Sequence, residues 1–464
     1  MSRLKIGFLP FYVDYYEGIC AEFPIEKLAV AARCGEALSR FGEVLWDGAL
    51  ITNRDSAADV GGALAKLKPD CVVVVTTIAV FGGICWAAVE KLDVPLLIWN
   101  SQQIGSVDKG YSMEDIVRNT SQIGTQALAN TMVREGRKFR ILTGCEGSHE
   151  MNQALERFFL VMKAVAAIRN ARLLSVGGTF DLMTDIVIDE RELAQRLGPS
   201  VVRVSASELT RRYHKVENVD AAQATSDLTA QHAVSGLTDD ELARSVRLSV
   251  AFSELVNEYR VDAGTFNCHG SVCLRNPEIG ITGCLSHGVQ NTLGRPFTCT
   301  GDLPTAIAML LLKRLTGVSM YTEVQVMDTR RDAIVIANSG EGEDAIRRSG
   351  CRSSIIGNTN FRGTCGRGAS FAYPLATGPA TVVSFTPVPG GYRLIAAEGV
   401  ILEESLPDTG SLAGFFRFAN TSLADGYTRW MEAGAVHHAA TTLGHWNGEL
   451  REIASWLGIE YLQI

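Results

Sequence analysis

The chain has 464 residues, with 43 basic and 51 acidic side chains and a net charge of −8. This length predicts more than one domain, because a single hydrophobic core rarely grows beyond about 250–300 residues. Hydrophobic residues make up 46% of the chain and charged residues 20%, as is typical of globular proteins with ample cores. The acidic balance and the lack of a long basic run argue against a nucleic-acid partner.

The eleven cysteines follow neither zinc-finger spacing nor a disulfide framework, which is typical of a reducing compartment. The first residues, MSRLKIGFLPFYVDYY, lack the basic and long apolar regions of a signal peptide. The uncharged stretch 71–89 begins with β-branched residues and is broken at Gly82-Gly83. It therefore predicts a buried strand, a loop and a helix rather than a membrane span. We expect a cytoplasmic protein.

Strand and helix patterns alternate through residues 1–170. Strands are predicted at 4–9, 43–46, 72–75, 94–99 and 139–142, and helices at 25–41, 56–66, 112–137 and 150–168. This alternation predicts a doubly wound parallel sheet, in which ligands meet the carboxyl ends of the strands. The loops 76–83 and 100–105 are therefore candidate ligand loops.

The alternation starts again after residue 170. Strands are predicted at 173–176, 201–204 and 263–268, and helices at 241–258 and 304–315. Pro304 suits the first turn of a helix because it has no N–H to leave unpaired, and Asp302 stands where a capping side chain is needed. We therefore predict a second doubly wound parallel-sheet domain at 171–317.

From residue 318 the pattern changes to short strands and frequent turns. The alternation in GPATVVSFTPVPGGYRLIAAEGVIL, residues 378–402, predicts an antiparallel barrel or sandwich. Residues 444–464 predict a helix and a terminal strand. The predicted architecture is thus α/β, with two parallel-sheet domains followed by an antiparallel β-barrel-like domain at 318–464.

The segment 296–340, PFTCTGDLPTAIAMLLLKRLTGVSMYTEVQVMDTRRDAIVIANSG, resembles the L-fucose and L-arabinose isomerase superfamily. The hairpin within 378–402 and the ending from His437-His438 to IEYLQI strengthen the resemblance. It implies two α/β domains, a C-terminal β domain, and assembly into trimers or hexamers. It also implies a small sugar substrate, whose proton moves between C1 and C2 through a metal-stabilised enediolate.

The resemblance implies a role for each matching residue of this chain. Glu323 would be a metal ligand and an acid–base catalyst, His438 a second ligand, and Asp302 an assisting catalyst. Carboxylate and imidazole ligands together suit Mn²⁺. Asn338 and Ser339 would reach the sugar. Each residue also has a simpler interpretation, as a strand surface acid, a surface histidine, a helix cap or a turn.

Thr300 departs from the family pattern, which has a glutamate at that position. A neutral hydroxyl cannot replace a carboxylate in charge or proton transfer. Three outcomes stay open. In the first, Asp302 takes over the role in an isomerase or epimerase. In the second, the metal serves carbon–carbon cleavage, decarboxylation or hydrolysis of an oxidised sugar. In the third, the site is inactive and the chain is a sugar-binding or assembly-scaffold protein. Isomerisation is the leading hypothesis, with Thr300 kept as a sugar-binding candidate.

Two further patterns carry chemistry. The glycine-rich segment 360–371 lacks the Lys-Ser/Thr pair of a phosphate-binding P-loop. It does contain Arg362 and Arg367, whose guanidinium groups would suit an anionic sugar, although solvated loop arginines are the simpler interpretation. The pairs Cys268-His269 and Cys284 with His287 lack zinc-finger spacing, so we expect buried thiols and a polar loop histidine.

Overall fold

The computed structural model describes residues 3–404, 406 and 410–464. The chain forms two compact units, Met1–Ala166 and Ala167–Ile464. Among the described residues, no helix is both long enough and apolar enough to cross a membrane. The three predicted domain ranges, 1–170, 171–317 and 318–464, stay a proposal.

The first unit is built on one parallel sheet. Its strands are β1 (Leu4–Phe11), β2 (Gly42–Leu45), β3 (Cys71–Thr76), β4 (Leu96–Gln102) and β5 (Arg140–Cys145). Its helices are α1 (Phe23–Ser39), α2 (Arg54–Leu67), α3 (Gly82–Val89), α4 (Met113–Arg118), α5 (Ser121–Arg134) and α6 (His149–Arg169), the last of which runs past the unit's end. The strand order β2-β1-β3-β4-β5, with all pairs parallel, confirms the predicted doubly wound sheet.

Two local predictions can be compared with this unit. The stretch 71–89 is the fully buried strand β3, a loop and helix α3, as predicted. The predicted helical region 112–137 is instead two helices, because the Asn119 side chain bonds the Asp115 carbonyl and ends α4. The candidate ligand loops 76–83 and 100–105 begin on the neighbouring strands β3 and β4, and their ligand role stays a prediction.

The second unit begins with a four-stranded parallel sheet of order β10-β9-β6-β7. These strands are β6 (Arg172–Val176), β7 (Ser200–Val204), β9 (Ala263–Phe266) and β10 (Phe297–Cys299). The helices around it are α7 (Glu190–Leu197), α8 (Ala206–Lys215), α9 (Asn218–Gln231), α10 (Asp239–Tyr259), α11 (Cys284–Thr292) and α12 (Leu303–Thr316). A small sheet joins β8 (Ala233–Ser235), β13 (Ser354–Gly357) and β14 (Ala369–Ala372). The second predicted parallel sheet is confirmed.

A closed antiparallel barrel of six strands completes this unit, as the alternation predicted. Its strands are β11 (Met320–Asp328), β12 (Ala333–Asn338), β15 (Gly378–Val388), β16 (Gly391–Ile401), β17 (Leu412–Phe418) and β18 (His438–Leu443). The order is β15-β18-β11-β12-β17-β16, and pairing of β15 with β16 closes the barrel. Helices α13 (Leu423–Glu432) and α14 (Asn447–Leu457) follow β17 and β18, and β19 (Glu460–Gln463) adds in parallel to β16. The helix and strand predicted at 444–464 are thereby confirmed.

Candidate active site

Two loops meet at the carboxyl edge of the parallel sheet in the second unit. One follows β6 and the other follows β10. The amide of Phe180 donates a hydrogen bond to the Thr300 carbonyl at 2.7 Å, which joins them. Gly301 has φ +88°, and a Cβ at that position would lie 2.3 Å from the Gly178 carbonyl oxygen. The close approach of the loops therefore requires glycine at 301.

Thr300 itself adopts an unusual backbone conformation. Its φ is +60°, a region that β-branched residues rarely occupy and that costs about 1–2 kcal/mol. The side chain is buried, and its hydroxyl donates to the Cys299 carbonyl at 2.8 Å. Such strain is common at functional sites. The hydroxyl proton is thus engaged by the carbonyl of the preceding residue, and the neutral side chain supplies no charged group to the site.

The barrel contributes two facing side chains. Strands β11 and β18 pair in a register that sets Glu323 opposite His438. On its other side, Glu323 is opposite Ala337 of β12, and the β11–β12 register shifts just beyond it, between Val324 and Val326. Directly opposite residues on neighbouring strands project to the same face. Bulges of this kind commonly re-aim side chains beside active sites.

His438 lies between two carboxylates. Its Nδ1 is 2.8 Å from Oδ2 of Asp302, and its Nε2 is 3.4 Å from Oε1 of Glu323. Asp302 is completely buried, and its Oδ1 also accepts the Thr305 amide at 2.8 Å, which caps α12. Asp302 therefore fixes both the helix start and the imidazole. The structure thus brings together three of the residues that the sequence singled out.

This arrangement shifts the pKa values of His438 and Glu323. Burial disfavours the charged imidazole, but hydrogen bonds to Asp302 and Glu323 outweigh that effect and raise the pKa of His438 to about 9. Burial also acts to raise the pKa of Glu323, whose side chain is 37% exposed, but the hydrogen bond and charge of His438 hold it below the usual value. The Glu323 carboxylate is therefore ionised at neutral pH.

Glu341 is a buried acid that the sequence analysis missed. It is 2% exposed, and its Oε1 lies 3.6 Å from the Cys284 thiol. Its Oε2 has no hydrogen-bond partner in the described part of the chain. Burial raises the pKa of Glu341, and repulsion from Glu323 adds to the effect. The available signal was its position directly after the Asn338-Ser339-Gly340 turn that leaves a buried strand.

The predicted sugar-binding residues of that turn differ in their contacts. Asn338 is buried, donates to the Tyr321 carbonyl at 2.8 Å and accepts the Gly340 amide at 2.8 Å. Its amide therefore holds the turn. Ser339 is half-buried, and its carbonyl accepts hydrogen bonds from Asn358 and Ser370.

Three other residues lie outside the carboxylate–imidazole group, which is formed by Asp302, His438 and Glu323. Arg362 lines a cleft that also contains His269. Asp328 accepts bonds from the backbone and guanidinium of Arg331, which explains it as a turn residue. His437, next to His438, instead bonds the Asp185 carboxylate through Nδ1 at 2.5 Å.

The cysteines near the parallel sheet form a tighter group than expected. Cys268 and Cys299 are buried, with sulfur atoms 2.8 Å apart. Together with His269 they offer three ligand atoms within 4.8 Å of one another. Two sulfurs and an imidazole suit Zn²⁺ better than Mn²⁺. His287 is different: it is fully buried, it stacks on Phe266, and burial lowers its pKa to about 4.

A buried ion pair anchors the segment that carries Glu341. Lys313 Nζ lies 2.5 Å from Glu343 Oε2, and the two side chains are 10% and 1% exposed. We expect Lys313→Met to destabilise the second unit by about 3–5 kcal/mol, because it leaves a buried carboxylate without its partner. A urea titration followed by circular dichroism measures the loss. Lys313→Met/Glu343→Gln should recover most of it, and an unchanged midpoint in the single variant would contradict the expectation.

Comparison with known proteins bears on this region. Residues 322–460 match the model of the L-arabinose isomerase C-terminal domain. No curated protein matches the chain. The matched region contains Glu323, Glu341 and His438 but begins after Thr300 and Asp302. The matched domain family belongs to the arabinose and fucose isomerase superfamily, and the match covers the C-terminal part of the chain.

Proposed function

We propose that the protein is a metal-dependent aldose–ketose isomerase that acts on a monosaccharide through an enediolate. The observation that carries the proposal is the buried imidazole of His438, held by Asp302 on one side and facing Glu323 on the other. The match to the L-arabinose isomerase C-terminal domain supports the same chemistry. Cytoplasmic location and assembly into a trimer or hexamer belong to this proposal.

The donor set fits a divalent metal. The contact between Nδ1 and Asp302 directs Nε2 of His438 toward Glu323, and a carboxylate in that position typically orients metal-binding imidazoles. Glu341 adds a buried oxygen with no partner among the described residues. Glu323 and His438 would hold Mn²⁺. When bound, the ion would polarise the sugar carbonyl and stabilise negative charge on the enediolate oxygens.

The two carboxyl groups divide the proton transfer. Glu323 is ionised beside His438 and, as a metal ligand, would stay a carboxylate, so it can accept a proton from the sugar carbon. Glu341 has a raised pKa and can hold a proton for delivery to the neighbouring carbon. Glu341 thereby supplies the second acid–base group that Thr300 cannot. Both Asp302 oxygens are already bonded, so we assign Asp302 a positioning role.

The remaining candidates would contact the sugar rather than the proton. Ser339 is half-buried, and its turn follows β12 beside Glu323. We assign its hydroxyl to a sugar hydroxyl, with Asn338 holding the turn. The Thr300 hydroxyl has its proton engaged with the Cys299 carbonyl and retains lone pairs that can accept from the sugar.

Metal content and solvent exchange together test the proposal. Protein dialysed against Mn²⁺ should retain about one ion per chain, and Glu323→Ala/His438→Ala should retain none. His437→Ala is the matched histidine control and should keep the metal. The parent should also exchange a sugar C–H proton with solvent deuterium, measured by NMR across a panel of aldoses and ketoses. A parent that neither retains metal nor catalyses exchange would overturn the proposal.

Asp302→Asn tests the positioning role. We expect metal affinity or activity to fall by about 10–100-fold, because an amide changes the hydrogen bond that orients His438. The remaining amide oxygen can still cap α12, but the variant leaves the buried imidazole of His438 without its carboxylate partner, so we also expect a lower melting temperature. Asp185→Asn removes the equivalent carboxylate from His437 and is the matched control. Equal losses in both variants would contradict the assignment.

A second candidate function follows from the replacement at Thr300. The metal site would then serve carbon–carbon cleavage, decarboxylation or hydrolysis of an oxidised sugar. The observation that favours it is the Thr300 hydroxyl, which is directed to the Cys299 carbonyl and provides no carboxylate. Product analysis by mass spectrometry separates the candidates, because isomerisation conserves mass whereas the alternatives change it. Sugar binding without turnover would favour a non-catalytic role.

A further inference from the structure

A cleft in the second unit, lined by residues of the loops that follow β6, β9 and β13, contains two arginines. It has a volume of about 450 Å³, within the range of small-molecule sites. Its lining includes Phe180, His269, Arg275, Phe361 and Arg362. Arg275 follows the loop that leaves β9, whereas Arg362 belongs to the glycine-rich loop that leaves β13. The fold therefore brings together two cations from segments far apart in sequence.

Both guanidinium groups are available to a ligand. Among the described residues, 3–404, 406 and 410–464, no side chain or backbone group forms an ion pair or a hydrogen bond with either guanidinium group. Arg275 lies over the Phe180 ring, 5.8 Å from its centroid. The charge of Arg362 helps to lower the pKa of Glu241, whose carboxylate already accepts the backbone amides of Thr238 and Arg367. The positive charge in the cleft is thus only partly compensated.

His269 connects the cleft to the candidate reaction site. Its ring centroid lies 6.0 Å from that of Phe180 and 4.6 Å from that of Phe361. The same residue offers a nitrogen within 4.8 Å of the Cys299 sulfur. Its charge also influences the titration of Glu341. A molecule in the cleft would therefore extend toward the acids that we assign to proton transfer.

We propose that this cleft binds the oxyanion of an acidic monosaccharide. The group would be a carboxylate or a phosphate, carried at the end of the sugar away from the reacting carbonyl. Two guanidinium groups match such oxygens in charge and geometry, and aromatic walls around a few polar groups are typical of small-molecule sites. The identity of the ligand as a sugar rests on the proposed function, whereas the preference for an anion rests on the cleft.

Direct binding tests this preference. Isothermal titration calorimetry on Mn²⁺-loaded protein would compare hexuronates and hexose 6-phosphates with their neutral parent hexoses. We expect at least one acidic sugar to bind about tenfold or more tightly than its parent. Arg275→Gln/Arg362→Gln should abolish that difference and leave the affinity for the neutral sugar unchanged. Arg367→Gln, in the same loop but outside the cleft lining, should keep the preference.

The outcomes separate this inference from the proposed function. A uronate-specific preference identifies a carboxylate ligand, and a phosphate-specific one identifies a sugar phosphate. If no acidic sugar binds more tightly than its parent, or if the double variant keeps the preference, the anion site is overturned. Deuterium exchange with neutral sugars alone would then leave the isomerase intact. Arginine-dependent binding without any exchange would support the anion site and overturn isomerisation.

Discussion

Glu323→Gln is expected to lower kcat/KM for sugar isomerisation by about 10³-fold. The substitution keeps the size and one oxygen of the side chain but removes the charge that faces His438 at 3.4 Å. General acid–base groups contribute about 10²–10⁴-fold to rates, and weaker metal binding would add to the loss. The carboxylate lies on a strand whose pairing with β18 fixes its position, so no neighbouring acid on β11 can replace it.

The measurement combines initial rates with metal analysis and melting temperature. Asp328→Asn is the matched control on the same strand, because its carboxylate bonds only the Arg331 turn in the described structure. That control should keep full activity. If Glu323→Gln retained both metal and activity, Glu323 would be a surface acid of the barrel, and the proposed mechanism would lose its base.

Many elements of the fold were predictable because their signals are local. The strand at Cys71–Thr76 is continuously apolar, and the helix at Leu303–Thr316 carries its own cap in Asp302. The alternation within 378–402 likewise produced the hairpin of β15 and β16. Each pattern lies within a few residues of the structure that it forms. Closure of the barrel depends on pairing between strands that are distant in sequence. The sequence therefore predicted only the class of β domain, not the pairing that closes it.

The site was less predictable because its contacts join distant segments. Asp302 and His438 are 136 residues apart in the chain. At the level of sequence, helix capping alone was enough to explain the aspartate at position 302. Cys268 and Cys299 meet only because β9 and β10 are neighbours in the sheet. Glu341 shows no periodicity of its own. Its proximity to Glu323 depends on the β11–β12 register, which sequence patterns do not specify.

Glu341→Gln should reduce kcat by about 10²–10³-fold, because the variant cannot hold or deliver a proton. In contrast to Glu323→Gln, it should leave Mn²⁺ content close to that of the parent, since Glu323 and His438 remain and the glutamine keeps one oxygen at position 341. The side chain is 2% exposed and its Oε2 has no partner among the described residues. A buried acid with one oxygen left without a partner costs stability, so a glutamate at this position is better explained by chemistry than by packing.

The measurements must separate a proton-transfer role of Glu341 from a contribution of its buried side chain to stability. Glu341→Gln preserves volume, so an unchanged melting temperature with a large loss of kcat would identify a proton-transfer group. Solvent deuterium exchange adds a second readout: if Glu323 still abstracts the proton, exchange into the sugar should persist while product formation falls. Loss of both exchange and product, with metal and fold retained, would place Glu341 at the abstraction step. Full activity in the variant would show that this chain isomerises without a second acid, and would leave Thr300 and its Cys299 contact as the part of the site to explain.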